Sequence, residues 1–371
     1  MTKHTVLVVD DSVFMRKIIS DLIKEDGRFE VIDTAKNGVE AVDKAKRLKP
    51  DVITLDIEMP EMNGLEALKR IMAEHPIPVI MLSSLTEEGA KETIAALEIG
   101  AVDFVRKPSG SISLDLFKVK SLLIDKLSIA VQTRVMRPLS APSAPSAPAA
   151  TTAVDRASAP LSRPKEWTAS PGGDRIERVV AIGTSTGGPR ALQQVVSALP
   201  ERFPAPVLIV QHMPPNFTKS LAARLDSTSR IHVREAADGE RLHNGVVYIA
   251  PGGWHMIVKK DDAGYKIRLS KDAPRSGHRP SVDMLFESLL PFRELKRHAV
   301  LMTGMGSDGS KGMQALRQAG AIATIAEASE TCVVYGMPRA AVELGCVTHQ
   351  LPLHQIAAKL TELVAPEQSK Q

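Results

Sequence analysis

Val179-Val-Ala-Ile-Gly-Thr-Ser-Thr-Gly-Gly188 decides the fold of the second half of this 371-residue chain. Val179, Val180 and Ile182 make an apolar, β-branched run of the kind that fills a buried strand. Gly183, Gly187 and Gly188 supply a tight turn. After Pro189, the residues Leu192, Val195, Val196 and Leu199 recur at helical spacing. Proline suits a helix's first turn, where its missing N–H has no partner to lose. The stretch therefore predicts strand, turn and helix, with Ser185 at the tip. A hydroxyl there stands above the C-terminal edge of a sheet, beside backbone N–H groups that favour developing negative charge. Gly183-Thr-Ser-Thr-Gly187 also fits the G-x-S-x-G nucleophile turn literally. On the pentapeptide alone two other readings stand beside a serine nucleophile. One is a nucleotide-binding glycine turn, the other a plain connection in which Ser185 caps the helix.

Outward from this turn, Pro206-Val-Leu-Ile-Val-Gln-His212 predicts a second buried strand with His212 at its C-terminal end. Gly245–Ala250 and His255–Lys259 read as short strands. Asp262-Ala-Gly264 then turns into Tyr265-Lys-Ile-Arg268, giving a β-hairpin. His278-Arg-Pro-Ser-Val-Asp283 opens a helix, with Ser281 as N-cap and Asp283 as a first-turn acid. Ala299–Met302 is a strand running into Thr303-Gly-Met-Gly-Ser-Asp308. A hydroxyl, an imidazole and a carboxylate at one sheet rim are the parts of a Ser-His-Asp triad: Ser185, His212 and Asp308. Gly304 and Gly306 let backbone approach an oxyanion, with the Met305 N–H as donor. Of ten histidines, His212 alone follows a long buried strand directly. His255 and His278, on hairpin or loop, are the rival bases. The order Ser…His…Asp differs from that of α/β-hydrolases, so the expected fold is a separate one, a doubly wound, Rossmann-like sheet with an added hairpin.

The first half alternates strands and helices. Strands are expected at Val6–Val9, Glu30–Ala35, Asp51–Leu55, Pro78–Leu82 and Ala101–Val105, each followed by a helical pattern. Five such units predict a parallel sheet with right-handed crossovers. Sites in open α/β sheets lie beyond the carboxyl ends of the strands. Those ends carry Asp10, Asp11, Asp56, Ser83 and Lys107. Any one of these acids alone reads as a solvated loop residue, but all five positions together read as a site. Three carboxylates repel one another unless a cation sits among them, and oxygen ligands suit Mg²⁺. The arrangement points to phosphoryl transfer onto Asp56, with Asp10 and Asp11 holding the metal. The Lys107–Pro108 bond is compatible with the cis form.

Composition bounds the rest. With 47 basic and 43 acidic residues the net charge is only +4, which gives no case for nucleic acid or a membrane surface as main partner. Aromatics are 4%, too few for base-stacking platforms. Cys332 and Cys346 form neither a metal spacing nor a disulfide framework. No apolar run approaches the ~20 residues of a membrane span, and Thr2–Asp11 runs straight into a strand, so a cytoplasmic protein with reduced thiols is expected. Pro138-Leu-Ser-Ala-Pro-Ser-Ala-Pro-Ser-Ala-Pro148 has no core-forming residues and reads as an extended linker, in which Trp167 is an incidental large side chain. The expected organisation is therefore residues 1–136, a linker over 137–174, a catalytic domain over 175–365 and a tail over 366–371.

Val8-Val-Asp-Asp-Ser12, Leu55-Asp-Ile-Glu-Met-Pro60 with Asn63-Gly64, and Lys107-Pro108 resemble a two-component receiver domain. That resemblance implies phosphorylation on Asp56. It implies Mg²⁺ on Asp10, Asp11, Asp56 and the backbone carbonyl of Glu58, and a switch formed by Ser83, Phe104 and Lys107. In the second half the Ser185 turn, Gln211-His-Met-Pro-Pro215, Ile249-Ala-Pro-Gly252, His278–Asp283, Thr303–Gly309 and Tyr335-Gly-Met-Pro338 resemble the chemotaxis protein-glutamate methylesterases. That family joins a receiver to an esterase domain. The resemblance implies Ser185 as nucleophile, His212 as base, Asp308 as acid, and an oxyanion site at Met305 and Thr186. It implies hydrolysis of glutamate γ-methyl esters on chemoreceptor cytoplasmic helices, deamidation of receptor glutamines, a histidine kinase as phosphodonor, and no cofactor for the ester chemistry. Thr184 and Ser307 depart from the family's common alanine and asparagine, which touches substrate preference, and the linker is long. Three rival functions remain: a dinucleotide-binding module, lacking the G-x-G-x-x-G spacing and the ribose-binding acid; a DNA-binding regulator, lacking a basic recognition helix; and a scaffold that has lost its chemistry.

Overall fold

Apolar runs that are continuous rather than alternating are buried on both faces, and here they form the centres of two all-parallel sheets. The computed structural model describes residues 3–84, 86–107, 113–133 and 175–365. The expected linker, Trp167, Pro108 and the 366–371 tail lie outside the described residues.

In the first sheet, β1 (His4–Val9), β2 (Phe29–Ala35), β3 (Val52–Asp56), β4 (Val79–Ser83) and β5 (Asp103–Arg106) run in the order β2-β1-β3-β4-β5. Helices α1 (Val13–Lys24), α2 (Gly38–Leu48), α3 (Gly64–Glu74), α4 (Glu87–Ile99) and α5 (Ser113–Ala130) connect or follow them. Ser12, Asn37, Asn63 and Thr86 cap the first four, each side chain accepting a backbone N–H three residues on. The alternation expected from sequence is this (βα)₅ unit.

The second sheet has seven strands. They are β6 (Arg178–Thr184), β7 (Val207–Gln211), β8 (His232–Glu235), β9 (Val246–Ile249), β12 (Lys296–Leu301), β13 (Ala323–Glu327) and β14 (His349–Leu351). Their order is β14-β13-β12-β6-β7-β9-β8. The chain starts at β6, builds outward through β7, then returns past β6 to build β12 on the other side. The sheet is thus doubly wound, and its order reverses between β6 and β12, where ligand sites of open sheets form. β10 (His255–Asp261) and β11 (Gly264–Ser270) pair antiparallel as the separate hairpin the sequence suggests. Helices α6 (Gly188–Ala198), α7 (Phe217–Thr228), α8 (Val282–Ser288), α9 (Ser310–Gln318), α10 (Met337–Glu343) and α11 (Leu353–Val364) complete the layers. β8 and β14, the two edge strands, have no counterpart in the sequence reading. Each is four residues or fewer and mostly polar, so neither an apolar run nor an alternation marks it.

The two sheets meet through helices: α4 packs against α6 and α7. Phe104 of β5 stacks on Phe217 of α7 with ring centroids 4.6 Å apart. Glu98 and Arg224 form a bidentate pair with two 2.8 Å hydrogen bonds, and Glu87 lies 3.3 Å from Lys219. No helix among the described residues is long and apolar enough to cross a membrane.

Candidate active site

Neighbouring strands β6 and β7 deliver the first two side chains together. Thr184 pairs in register with Gln211, and the His212 N–H donates to Thr184 O, so Ser185 and His212 leave the sheet side by side. The turn after β6 is pinned from several directions. Ser185 N–H donates to Thr303 O at 3.0 Å, and the Gln211 side-chain amide donates to Ser185 O at 2.9 Å. Thr184, the departure noted in sequence, donates its hydroxyl to the same Gln211 side chain.

Asp308 does not end a strand; it lies on the loop between β12 and α9. There it accepts four hydrogen bonds: from His212 Nε2 at 2.8 Å, the Ser281 hydroxyl at 2.9 Å, and the backbone N–H groups of Val282 at 2.7 Å and Asp283 at 3.1 Å. The first turn of α8 is thus the cradle of this carboxylate. A Cβ at Gly183 or Gly309 would press into Val282, so both glycines are needed for α8 to come this close. Burial pushes the Asp308 carboxyl up, but His212 and the two N–H groups outweigh it and hold it down at about 2. The carboxylate therefore fixes a proton on Nε2, and Nδ1 of His212, buried and without a hydrogen-bond partner, is left with its lone pair. The rivals do other things. His278 stacks flat on His212 at 3.8 Å between centroids, and burial holds its pKa down at about 4. His255 is fully buried, accepting Ser281 N–H on Nδ1. Asp283 accepts the Gly312 N–H, a tie across to α9 beyond its expected place in the first helical turn.

The Thr303–Gly306 loop lies against Ser185: a Cβ on Gly304 would sit 2.8 Å from that of Ser185. Its carbonyl at Gly304 accepts the N–H groups of Gly336 and Met337, which gives the Tyr335–Pro338 motif a role, as a clamp on this loop. Met305, on this loop, is 44% exposed. The Thr186 hydroxyl is turned to the receiver sheet: it donates to Asp103 Oδ2 of β5 at 2.6 Å, and Lys126 holds the same oxygen at 2.6 Å.

At the other sheet, Asp10, Asp11 and Asp56 bring carboxylate oxygens within 4.8 Å of one another. Lys107 bridges Asp10 at 2.8 Å and Asp56 at 2.7 Å. Burial, with Asp10 nearby, raises Asp56 to about 6 against the pull of Lys107. Ser83 is buried and accepts the Thr93 hydroxyl at 2.7 Å. The Glu58 side chain accepts the Ser84 hydroxyl.

Residues 180–360 match the CheB methylesterase family, and residues 6–115 match the response regulator receiver domain. A protein-glutamate methylesterase/protein-glutamine glutaminase of Geobacillus kaustophilus is 54% identical over 97% of this chain and 98% of its own. One of the same name from Bacillus subtilis is 50% identical over 98% of this chain and 99% of its own. The chain belongs to the CheB methylesterase family. The crystal structure of the Thermotoga maritima CheB methylesterase catalytic domain aligns at 47% identity and a TM-score of 0.49, covering 50% of this chain and 98% of that one. Sequence reasoning expects Ser185, His212 and Asp308 at one rim. It leaves Gln211, Thr303 and Gly336 without roles and gives Ser281 only that of an N-cap, because each acts through a hydrogen bond to a distant segment that only the fold brings near.

Proposed function

We propose that this chain hydrolyses glutamate γ-methyl esters on methyl-accepting chemoreceptors, releasing methanol, and deamidates receptor glutamines. The observation that carries the reading is the His212–Asp308 pair at 2.8 Å, which leaves a buried, unpartnered Nδ1 beside the Ser185 turn. Ser185 Oγ attacks the ester carbonyl while His212 Nδ1 takes its proton. The oxyanion is met by backbone N–H groups at Met305 and Thr186. As the tetrahedral adduct collapses, His212 returns the proton to the departing methoxide, which leaves as methanol. Water then attacks the acyl-enzyme with His212 again as base, and the glutamate carboxylate is released. A glutamine follows the same steps with ammonia as leaving group.

The receiver half, residues 1–136, acts as the switch on the catalytic half, residues 175–365. A chemosensory histidine kinase supplies the phosphoryl group to Asp56. The three clustered carboxylates are hard oxygen donors that fit Mg²⁺, with the Glu58 carbonyl as a fourth ligand; when bound, the ion neutralises charge on the incoming phosphoryl group. Unphosphorylated, β5 and α4 lie against α7 and the Ser185 turn, through Phe104–Phe217 and Asp103–Thr186, which restricts entry of a helical substrate. Phosphorylation shifts Ser83, Lys107 and Phe104 and loosens that face. The work is done in the cytoplasm, where receptor tails and kinase meet.

Methanol release from methylated receptor tests this, with the intact protein, Ser185→Ala and Asp56→Asn each assayed with and without acetyl phosphate and Mg²⁺. Stimulation of the intact protein, an inactive Ser185→Ala and an Asp56→Asn that keeps only basal release are expected. Methanol release by Ser185→Ala would overturn the assignment.

A further inference from the structure

One ionisable side chain outside the proposed chemistry is buried against the loop that carries Met305. Glu327 closes β13 and is 0% exposed. Its Oε2 accepts the Thr303 N–H at 2.8 Å, and the Thr331 and Cys332 side chains lie close enough to pull on the carboxyl. Burying a carboxyl is unfavourable, and an apolar residue such as its neighbours Ile325 and Ala326 would end the strand without that penalty.

The local ladder explains what the carboxyl replaces. β12 follows β13 in register as far as the pair Leu301 and Ala326. Beyond it, the Met302 N–H turns to Gly183 O on β6 at 3.0 Å. The Thr303 N–H faces the opposite side, and there the Glu327 side chain takes the place of a ladder carbonyl. Thr303 is in turn tied to both sides of the nucleophile. Its carbonyl accepts the Ser185 N–H at 3.0 Å, and its hydroxyl donates to Thr186 O at 2.9 Å and accepts the Val334 N–H at 3.0 Å.

We infer that Glu327 is a positioning residue for the ester hydrolysis: its buried oxygen anchors Thr303, and through Thr303 it sets the spacing between the Ser185 turn and the Met305 peptide. This rests on the reading of Ser185 as nucleophile. Burial pushes the Glu327 carboxyl above its ordinary range, against the pull of the Thr303 N–H and of the Thr331 and Cys332 side chains. What the Thr303 N–H requires at this position is an acceptor oxygen.

The test compares Glu327→Leu, Glu327→Asp and Glu327→Gln in the full chain, with Ser185→Ala alongside, by methanol release from methylated receptor and by hydrogen exchange of the 302–307 peptide. Leu fills the volume without an acceptor, and Asp withdraws the carboxyl by one methylene. Each is expected to lose roughly 10²-fold in kcat with KM little changed, and to exchange faster in that peptide. Gln, which restores an acceptor oxygen at full reach, recovers most of the kcat and the protection. If Leu does not accumulate as folded protein, Asp against Gln carries the comparison. Wild-type kcat and exchange in a folded Leu or Asp variant, or a Gln variant as impaired as Asp, would overturn the inference. An inactive Ser185→Ala beside unimpaired Glu327 variants sinks this inference alone, whereas methanol release by Ser185→Ala sinks the reading beneath it.

Discussion

Asp308 shows how much one residue's surroundings decide. Each of its oxygens has two donors: the Ser281 hydroxyl and Asp283 N–H on one, the Val282 N–H and His212 Nε2 on the other. An amide cannot meet this set, because its NH₂ group would face a donor whichever way it turned. Asp308→Asn should therefore lose the fixed tautomer of His212, with kcat falling by about 10⁴ and KM little changed in steady-state methanol release. At this scale sequence carried far. Ser185 and His212 were legible because each follows an apolar strand directly. Asp308 was legible less directly, since the strand stops at Leu301 and a glycine-rich loop carries the chain on to the acid. The cradle was not legible: Ser281 reads as an N-cap, which it is for Met284 N–H, and nothing local shows that its hydroxyl also serves Asp308.

Elements are where the fold sets conditions that single residues do not reveal. β12 runs through the middle of the seven-stranded sheet, with His298 paired in register to Val180 on β6 and Ala323 on β13. The imidazole is fully buried, and neither ring nitrogen has a hydrogen-bond partner. Burial, with the positive charges of Arg178 and Lys296, holds its pKa down at about 4. Below about 6.5 the unfolded chain binds a proton that the folded one refuses, so stability falls as pH drops from about 6.5 to about 4 and is level above that window. His278, also held down at about 4, adds to the same slope. His298→Leu should flatten it, gaining up to about 3 kcal/mol relative to the parent near pH 4. Urea unfolding at pH 7.5 and pH 4.5 measures the difference, and an equal pH slope in both proteins would refute it. The strand itself was plain in the sequence, as Ala299–Met302, whereas edge strands β8 and β14 were not, because a short polar edge leaves no periodic mark.

At the scale of the whole molecule, the contacts between the two halves were the least legible part. Resemblance marks Phe104 as part of a receiver switch and nothing marks Phe217, and neither segment announces that the two rings meet. The charged rim is the part that can be altered without touching either core. Arg224 on α7 forks onto Glu98 of α4 with two 2.8 Å hydrogen bonds. Exposed pairs of this kind contribute about 0.2–1 kcal/mol, and like charges at the same place repel by a similar amount. Arg224→Glu thus shifts the balance between docked and undocked halves by about 1–2 kcal/mol, or roughly five- to thirtyfold in population. If docking restricts the Ser185 rim, basal methanol release should rise by a factor in that range, and stimulation by acetyl phosphate should shrink correspondingly. Glu98→Arg should do the same from the receiver side. The double exchange, Arg224→Glu with Glu98→Arg, restores opposite charges and should bring basal release back toward the parent level. Two single variants with parental basal release, or a double variant no lower than the singles, would mean that the pair decorates the interface without holding it. High salt offers the same comparison in the unmutated chain: screening weakens a solvent-exposed pair, so basal release should climb with ionic strength in the parent and less in Arg224→Glu, where no attraction is left to screen.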